Sequence, residues 1–235
     1  MFAHDIRNPL AGMKKTLELL VHRPELQNDP LHRWFCDLQF TTDLLLGMIN
    51  DMLDVYQESY SGLPLVSSVF SAGALLQDVA HLFRLEAEAK NVIFRLDLPD
   101  EEDLCLRGDR RRLQRVAINL VHNALKYSPP SGAITLSIRR FVGDVLPATT
   151  SSAGRRGMLF VVEDEGPGIE PDELPHIFEM FFRKKDGHDL RIGRGLGLHF
   201  CRLVVEAHGG RILAENRVER GARFSVALPL GEKER

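Results

Sequence analysis

Apolar residues near the start of the chain recur every three or four positions, the spacing that places side chains on one face of an α-helix. They are Ile6, Leu10, Met13, Leu17 and Leu20. A turn region at 24–30 follows, in which Asp29 is a suitable N-cap and Pro30 a suitable first residue for a second helix. The pattern therefore predicts two consecutive helices.

The second helix carries a longer apolar pattern, with alternating spacings of three and four that are typical of the seam of a helical bundle. Its positions are Phe35, Leu38, Thr42, Leu45, Ile49, Met52 and Tyr56. Two helices alone cannot bury such stripes, so we expect residues 1–62 to form a helical hairpin that dimerises into a four-helix bundle. The alternative is that the hairpin packs on the second domain of its own chain.

Helical and strand patterns mix after Ser61–Pro64, the predicted hinge. Ser71 and Asp109 are predicted N-caps of two helices, and a third helix is predicted at about 196–207. The first of these three helices should run to about Lys90. Its inward face is predicted to carry Leu75, Leu76, Val79, Leu82, Phe83 and Leu85.

Short apolar or alternating runs between these helices predict strands. They lie at 92–98, 134–138, 158–162, 211–214 and 224–228. Because helices and strands do not alternate regularly, we predict an α+β fold for residues 63–235, an α/β sandwich in which a mixed sheet carries helices on one face. A polar loop at 143–157 is expected to join two of the strands as a hairpin.

The composition is ordinary for a globular protein, with 44% hydrophobic and 27% charged residues and a net charge of −3. This mild negative charge gives no reason to expect nucleic-acid binding. Cys36, Cys105 and Cys201 form neither a disulfide framework nor a metal pattern, which favours a reducing, cytoplasmic location. No apolar run reaches the length of about 18 residues that spans a bilayer, so no direct membrane contact is expected.

Polar side chains share one face of the segment 119–127. Asn119, Asn123 and Lys126 are spaced by four and three positions, so a helix places them together and away from its leucine and valine face. Two amide oxygens and an ammonium group can hold a hydrated Mg²⁺ ion and a polyphosphate, since Mg²⁺ prefers oxygen ligands. A polar surface stripe is the alternative for this segment taken alone.

A second candidate segment, Asp164-Glu165-Gly166-Pro167-Gly168-Ile169, follows the predicted strand 158–162 directly. A carboxylate beside a flexible glycine turn can accept a hydrogen bond from an exocyclic amine while the backbone passes close to a flat ring. Acidic Gly-Pro turns are also common without any ligand. This segment alone leaves both interpretations open.

Glycines precede and open the third helix, at Gly193, Gly195 and Gly197. Small residues at this place let backbone N–H groups approach phosphates where the helix dipole favours anions. Leu198 replaces the third glycine of a dinucleotide fingerprint, and the sequence contains no Gly-x-x-x-x-Gly-Lys-Ser/Thr loop. A simple turn is the alternative interpretation.

The order of these segments is more specific than any one of them. The asparagine helix, the Asp-x-Gly-x-Gly turn, Phe178–Arg183 and the glycine segment follow one another as in a known ATP-binding fold. That fold is shared by sensor histidine kinases, DNA gyrase, Hsp90-type chaperones and MutL, and residues 65–235 resemble it over nearly their whole length. Segments 206–210 and 221–224 resemble the histidine kinase branch in particular.

The resemblance implies a role for each matching residue. Asn123 would be the Mg²⁺ ligand, and Asn119 would support it. Lys126 and Tyr127 would contact phosphate groups of ATP, and Asp164 would bind the adenine amine. The other implied ATP-binding residues are Gly166, Gly168 and Ile169 around the base, Arg183 at the terminal phosphate, and Gly193, Gly195, Leu196 and Gly197 in the lid.

One position distinguishes the branches of this fold. The ATP-hydrolysing members carry a glutamate where this chain has Asn119, and that carboxylate activates water. An amide cannot act as a general base. The sequence therefore favours transfer of the phosphoryl group to another nucleophile over direct hydrolysis.

That nucleophile is predicted to be His4. The segment 4–10 resembles the phosphoacceptor segment of histidine kinases, and residues 1–62 resemble their dimerisation and phosphotransfer domain. A neutral imidazole is a competent nucleophile near pH 7, given its ordinary pKa of about 6.5. Asp5 can accept the other ring proton, and Asn8, one helical turn further on, can orient a water. Pro9 should kink the helix there.

We therefore expect the catalytic core of a sensor histidine kinase. It would bind ATP and Mg²⁺, phosphorylate His4 and pass the phosphoryl group to an aspartate of a response regulator, with Asn8 assisting the reverse reaction. We expect a homodimer, and a longer protein in which a sensor domain precedes this short first helix. The alternatives are a non-catalytic signalling scaffold that binds nucleotide, and an ATP hydrolase of the chaperone or gyrase type.

Overall fold

The computed structural model describes residues 2–23, 26, 31–32, 34–36, 38–39, 42, 65–99, 105–143, 156–182 and 196–230. The chain divides into two compact units, Met1–Gly62 and Leu63–Arg235. The predicted hinge, residues 61–64, lies outside the described residues. No helix in the described ranges is both long and apolar enough to cross a membrane.

In the first unit, helix α1 spans Phe2–Val21 and continues through Pro9. The described positions from 31 to 42 are also helical, as the apolar spacing predicts. The His32 Nε2 atom lies 3.2 Å from the carbonyl oxygen of Val21, so the second helical segment contacts the end of α1. The bundle with a second copy stays a prediction.

The described part of the second unit contains three helices, α2 (Ala72–Ala89), α3 (Arg110–Tyr127) and α4 (Gly197–Ala207). The two predicted caps are confirmed, since the Ser71 and Asp109 side chains accept the backbone N–H groups of Ala74 and Arg112, both at 3.1 Å. A capped start satisfies backbone donors that the helix itself leaves unpaired. Local sequence therefore determines where α2 and α3 begin.

Seven strands form two sheets among the residues of this unit that the structure describes. They are β1 (Ser68–Ser71), β2 (Ile93–Asp97), β3 (Cys105–Gly108), β4 (Ala133–Val142), β5 (Arg156–Glu163), β6 (Arg211–Asn216) and β7 (Ala222–Pro229). The main sheet has the order β2-β4-β5-β7-β6, in which β2 and β4 are parallel and the other pairs are antiparallel. The predicted α+β fold with a mixed sheet is therefore confirmed. The small sheet of β1 and β3 was not predicted.

The hydrophobic core lies between the helices and one face of the main sheet, because alternate strand residues belong to it. On the three longest strands these are Ile134, Leu136, Ile138, Met158, Phe160, Val162, Phe224, Val226 and Leu228. The inward prediction for Leu82 and Leu85 is wrong, since they are 61% and 72% exposed. The buried stripe of α2 is centred on Val79 and Phe83, and those two leucines lie to one side of it.

Candidate nucleotide-binding site

Helix α3 is amphipathic, and burial of its apolar face fixes the direction of its polar face. Leu120, Val121, Ala124 and Leu125 are fully buried against the core. The helical period then turns Asn119, Asn123 and Lys126 to the other side, where all three are half-buried. Their predicted common face is therefore present, and amide oxygen atoms on it are suitable ligands for Mg²⁺.

Asn119 joins α3 to the first turn of α4. Its Nδ2 atom donates to the carbonyl oxygen of Gly197 at 3.3 Å. One turn further along α4, Cys201 is fully buried, and burial raises the pKa of its thiol to about 12. The thiol therefore stays protonated, and its Sγ donates to the Val116 carbonyl oxygen at 3.7 Å. The start of α4 is held beside the polar face of α3.

Asp164 lies at the end of β5 and is only 4% exposed. Its Oδ1 atom accepts the backbone N–H groups of Gly166 at 2.8 Å and Ala222 at 3.1 Å. Among the described residues, Oδ2 accepts no hydrogen bond. One carboxylate oxygen is thus held by the backbone, while the other is available to a donor group on a ligand.

The surroundings of Asp164 act on its pKa in opposite directions. Burial is the largest effect and raises the pKa above the ordinary value of 3.8. The N–H groups of Ala222 and Gly166, and then the charge of Arg217, lower it by smaller amounts. The net effect is a raised pKa. The donors stabilise the ionised carboxylate, but by less than burial destabilises it.

Glycine is required at position 166 because the turn after β5 comes very close to the end of α3 there. A Cβ atom at this position would lie 2.8 Å from both the Tyr127 carbonyl oxygen and Asp164 Oδ1. The turn after β5 therefore packs directly on the last residue of α3. Two of the predicted motifs, which are distant in sequence, meet here.

The Tyr127 side chain lies at this same junction. Burial, and then the negative charge of Glu173, raise the pKa of its phenol. The hydroxyl group therefore remains a hydrogen-bond donor at neutral pH. The Lys126 Nζ atom lies 4.7 Å from the centroid of the Tyr127 ring. A cation and a neutral donor at the end of α3 are both suited to phosphate oxygens.

The turn continues through Gly168, whose φ of +79° favours glycine. Ile169 then forms two hydrogen bonds of 2.7 Å with the side chain of Asn216, one through its N–H and one through its carbonyl oxygen. Sequence analysis missed Asn216. Its signal is weak, namely a polar residue at the end of a strand.

Two arginines that were also missed reach the same turn from the β6–β7 connection. An Arg217 Nη1 atom donates to the Asp164 carbonyl oxygen at 2.9 Å, and the Arg220 Nε atom donates to the Gly166 carbonyl oxygen at 3.2 Å. The connection packs so closely that a Cβ atom on Gly221 would lie 1.9 Å from the Asp164 carbonyl oxygen. Two segments of the chain thus form the adenine side of the predicted site.

Several predicted residues are not placed in this site. Arg183, Gly193 and Gly195 lie outside the described residues. Leu196 is 2% exposed and caps α4. His4 and Asp5 lie in α1, but the structure describes only their backbone. Asn8 is exposed on the same helix. The described residues contain no cluster of three or more His, Cys, Asp or Glu side chains for a metal ion.

A family model described as histidine kinase-, DNA gyrase B- and HSP90-like ATPase matches residues 108–232. This range contains every element of the site described above. The match is therefore independent support for the predicted ATP-binding fold.

Individual relatives extend the similarity to almost the whole chain. The adaptive-response sensory kinase SasA of Microcystis aeruginosa is 32% identical over 98% of the chain, which spans 58% of that relative. The histidine kinase ThkA, solved in complex with the response regulator TrrA, is 26% identical over the full chain with a TM-score of 0.64, and 61% of that structure is covered. Full-length ShkA in complex with AMPPNP is 24% identical over 97% of the chain, with a TM-score of 0.74 and 44% of that structure covered, which supports the fold.

Proposed function

Because this chain belongs to the histidine kinase-, DNA gyrase B- and HSP90-like ATPase family, we propose that it is the core of a sensor histidine kinase. It binds ATP with Mg²⁺, phosphorylates His4 and passes the phosphoryl group to an aspartate of a response regulator. The sensory kinase SasA supports this assignment, because its similarity covers the first unit as well as the second.

One observation carries the nucleotide assignment: the available oxygen of Asp164 lies beside a glycine turn that packs on the end of α3. The carboxylate accepts a hydrogen bond from the adenine amine, and the absence of a Cβ on Gly166 lets the turn pack directly on the last residue of α3. From this point α3 leads back along its polar face to Asn123. The base and the phosphates are therefore bound by two segments that the structure holds together.

Asn123 fits the role of the Mg²⁺ ligand, since its amide oxygen lies on the half-buried polar face of α3. When bound, Mg²⁺ neutralises charge on the phosphate oxygens. Lys126 and the protonated hydroxyl of Tyr127 contribute further positive charge and a donor at the end of the helix. Positioning and charge neutralisation are the main contributions that proteins make to phosphoryl transfer.

Asn119 supports a kinase over an ATP hydrolase. Its amide N–H donates to the Gly197 carbonyl oxygen, a bond that a carboxylate could not donate. An amide in this position orients the start of α4 and cannot accept a proton from water. The phosphoryl group is therefore transferred to a protein nucleophile.

The histidine of the phosphoacceptor segment is that nucleophile. A ring nitrogen of His4 attacks the γ-phosphorus, the bond to the bridging oxygen breaks, and ADP leaves. Asp5 accepts a hydrogen bond from the N–H of the other ring nitrogen and so stabilises the positive charge that develops on the imidazole. Asn8 is exposed one turn further along α1. It orients a water molecule for the opposing reaction, the dephosphorylation of the response regulator.

A labelling experiment tests this function. We expect γ-labelled ATP with Mg²⁺ to give an acid-labile, alkali-stable label on the protein, and His4→Gln or chelation by EDTA to abolish it. His22→Gln is the matched control, because His22 is an exposed histidine directly after the last residue of α1. This variant should be labelled like the wild type. Label that persists in His4→Gln would place the acceptor elsewhere.

The same experiment separates the alternatives. Steady release of phosphate without labelled protein would favour an ATP hydrolase. Binding of ATP without either label or release would favour a non-catalytic scaffold. Transfer of label from the protein to a receiver domain is the result expected of a two-component kinase.

The first unit is proposed to dimerise through its exposed apolar side chains. These are Met13, Leu19, Leu31, Trp34 and Leu38, each more than half exposed. Exposed apolar residues of this number on two helices are typical of a surface that a partner covers. A second copy of the hairpin would bury them in a four-helix bundle.

We expect Leu38→Arg to weaken the dimer strongly, because a charge would be buried in the helical seam. Light scattering after size-exclusion chromatography should show about a tenfold or larger increase in the dimer dissociation constant, corresponding to roughly 1.4 kcal/mol. Leu82→Arg is the matched control, since Leu82 is comparably exposed but lies in the second unit. Equal effects of the two substitutions would contradict the proposed interface.

A further inference from the structure

The last residue of β6 and the β6–β7 connection (217–221) lie against the turn that follows β5, and together they supply most of that turn's hydrogen-bond partners. The carbonyl oxygens of Asp164, Gly166 and Ile169 accept from Arg217, Arg220 and Asn216 respectively. These three carbonyl groups belong to the segment that carries the adenine-binding carboxylate. The shape of the turn is therefore set largely by another part of the chain.

Asn216 forms the shortest of these contacts. Its Oδ1 atom accepts the Ile169 N–H, and its Nδ2 atom donates to the Ile169 carbonyl oxygen, both at 2.7 Å. A carboxamide that pairs with both polar groups of one residue fixes the orientation of that residue as a neighbouring strand would. Aspartate could make only the first of these bonds, and alanine neither.

The same side chain also limits the residue at position 168. A Cβ atom on Gly168 would lie 2.8 Å from Asn216 Oδ1, and the φ of +79° at this glycine is itself unfavourable for other residues. Asn216 therefore touches the turn at two consecutive residues. Both follow Gly166, the residue that packs on Tyr127.

The exposure of Asn216 bears on what it contributes. Its side chain is exposed, so water competes for both hydrogen bonds and their contribution to overall stability is small. Bonds of this kind restrict the conformation of a turn more than they stabilise a fold. A small effect on folding and a larger effect on ligand affinity distinguish this role from a structural one.

We propose that Asn216 is a positioning residue for nucleotide binding, which holds Gly168 and Ile169 in the conformation that receives the adenine ring. This inference rests on the proposed nucleotide site and extends it to the last residue of β6. Asn216 does not contact the phosphates in this proposal. It acts through the backbone of the turn.

Isothermal titration of the full chain with ADP tests the proposal. We expect Asn216→Ala to raise the dissociation constant about tenfold while the fraction of protein that binds stays near that of the wild type. In labelling assays the KM for ATP should rise by a similar factor, with the rate at saturating ATP within about twofold of the wild type. Arg223→Ala is the matched control, because Arg223 on β7 pairs with Glu163 on β5 and Glu215 on β6 and forms no hydrogen bond with the described part of the turn.

Each outcome decides the proposal. An unchanged dissociation constant in Asn216→Ala, or a loss of binding-competent protein without a change in the constant, would overturn it. Failure of the wild type to bind ADP would overturn the nucleotide site itself, and this inference with it. If the alanine variant does not fold, Asn216→Asp, which keeps the acceptor for the Ile169 N–H, gives the same comparison.

Discussion

Asp164→Asn should abolish measurable ATP binding while the second unit stays folded. An asparagine can keep its Oδ1 atom in place to accept the N–H groups of Gly166 and Ala222. Its amide nitrogen would then replace the available oxygen and present a donor to the adenine amine, which is also a donor. Loss of a charge-assisted hydrogen bond and a mismatch of two donors should weaken binding about 100-fold or more.

Asp164→Ala is the informative companion to this variant. It leaves the same two buried N–H groups without their acceptor, so we expect a loss of about 2–4 kcal/mol in the free energy of unfolding as well as the loss of binding. Titration calorimetry measures the affinity, and urea unfolding followed by circular dichroism measures the stability. Wild-type affinity in Asp164→Asn would rule out this carboxylate as the base-binding group.

The raised pKa of Asp164 predicts two opposite pH dependences. The folded protein retains a proton on this group above the ordinary pKa of 3.8, so the stability of the wild type relative to Asp164→Asn should fall as the pH rises from 3.8 through the raised pKa. ATP affinity should instead rise over the same range, because Oδ2 can accept a hydrogen bond from the adenine amine only when it carries no proton, while Oδ1 is held by the two backbone N–H groups. If stability and ATP affinity changed in the same direction with pH, this assignment would be contradicted.

Gly221→Ala should be the most destabilising single substitution in the second unit that we propose to test. A Cβ atom at this position would lie 1.9 Å from the carbonyl oxygen and 2.6 Å from the carbonyl carbon of Asp164, and φ is +98°. Neither group can move without breaking the backbone pairing between Asp164 and Ala222. We expect a loss of about 4–5 kcal/mol or more in the free energy of unfolding.

Gly143→Ala distinguishes the cost of an unfavourable backbone conformation from the cost of a steric clash. Gly143 has a φ of +91°, but a Cβ atom there would meet nothing within 4 Å. Only the unfavourable backbone conformation remains, which costs about 1–3 kcal/mol. Urea unfolding of the two variants should therefore differ by about 2 kcal/mol or more. Equal losses would show that the close approach at Gly221 relaxes without cost.

The helices and the long strands were predictable because their signals are local. The N-caps Ser71 and Asp109, and the alternation along β4, act over a few neighbouring residues. β1 and β3 were missed because each has only four residues, and Val69 on β1 is 62% exposed. Such short strands form by pairing with each other across a long stretch of sequence, and no local pattern indicates that pairing.

The error at Leu82 and Leu85 has a related cause. Leucines at helical spacing predict a stripe, but the width of the stripe depends on what packs against it. α2 contacts α3 and β2, and these neighbours cover the side of α2 that carries Val79 and Phe83. The two leucines outside this area remain exposed, which the sequence of α2 alone could not indicate.

The sequence by itself determined which residues carry the candidate chemistry, because Asn123, Asp164 and Gly166 lie in short motifs whose order along the chain is distinctive. Tertiary structure alone decided what holds them. Asn216 contacts Ile169 across 47 positions of sequence, since β7 pairs with both β5 and β6 and so brings the end of β6 close to the end of β5. Motifs are local in sequence, whereas the order of strands in a sheet depends on hydrogen bonds between distant segments.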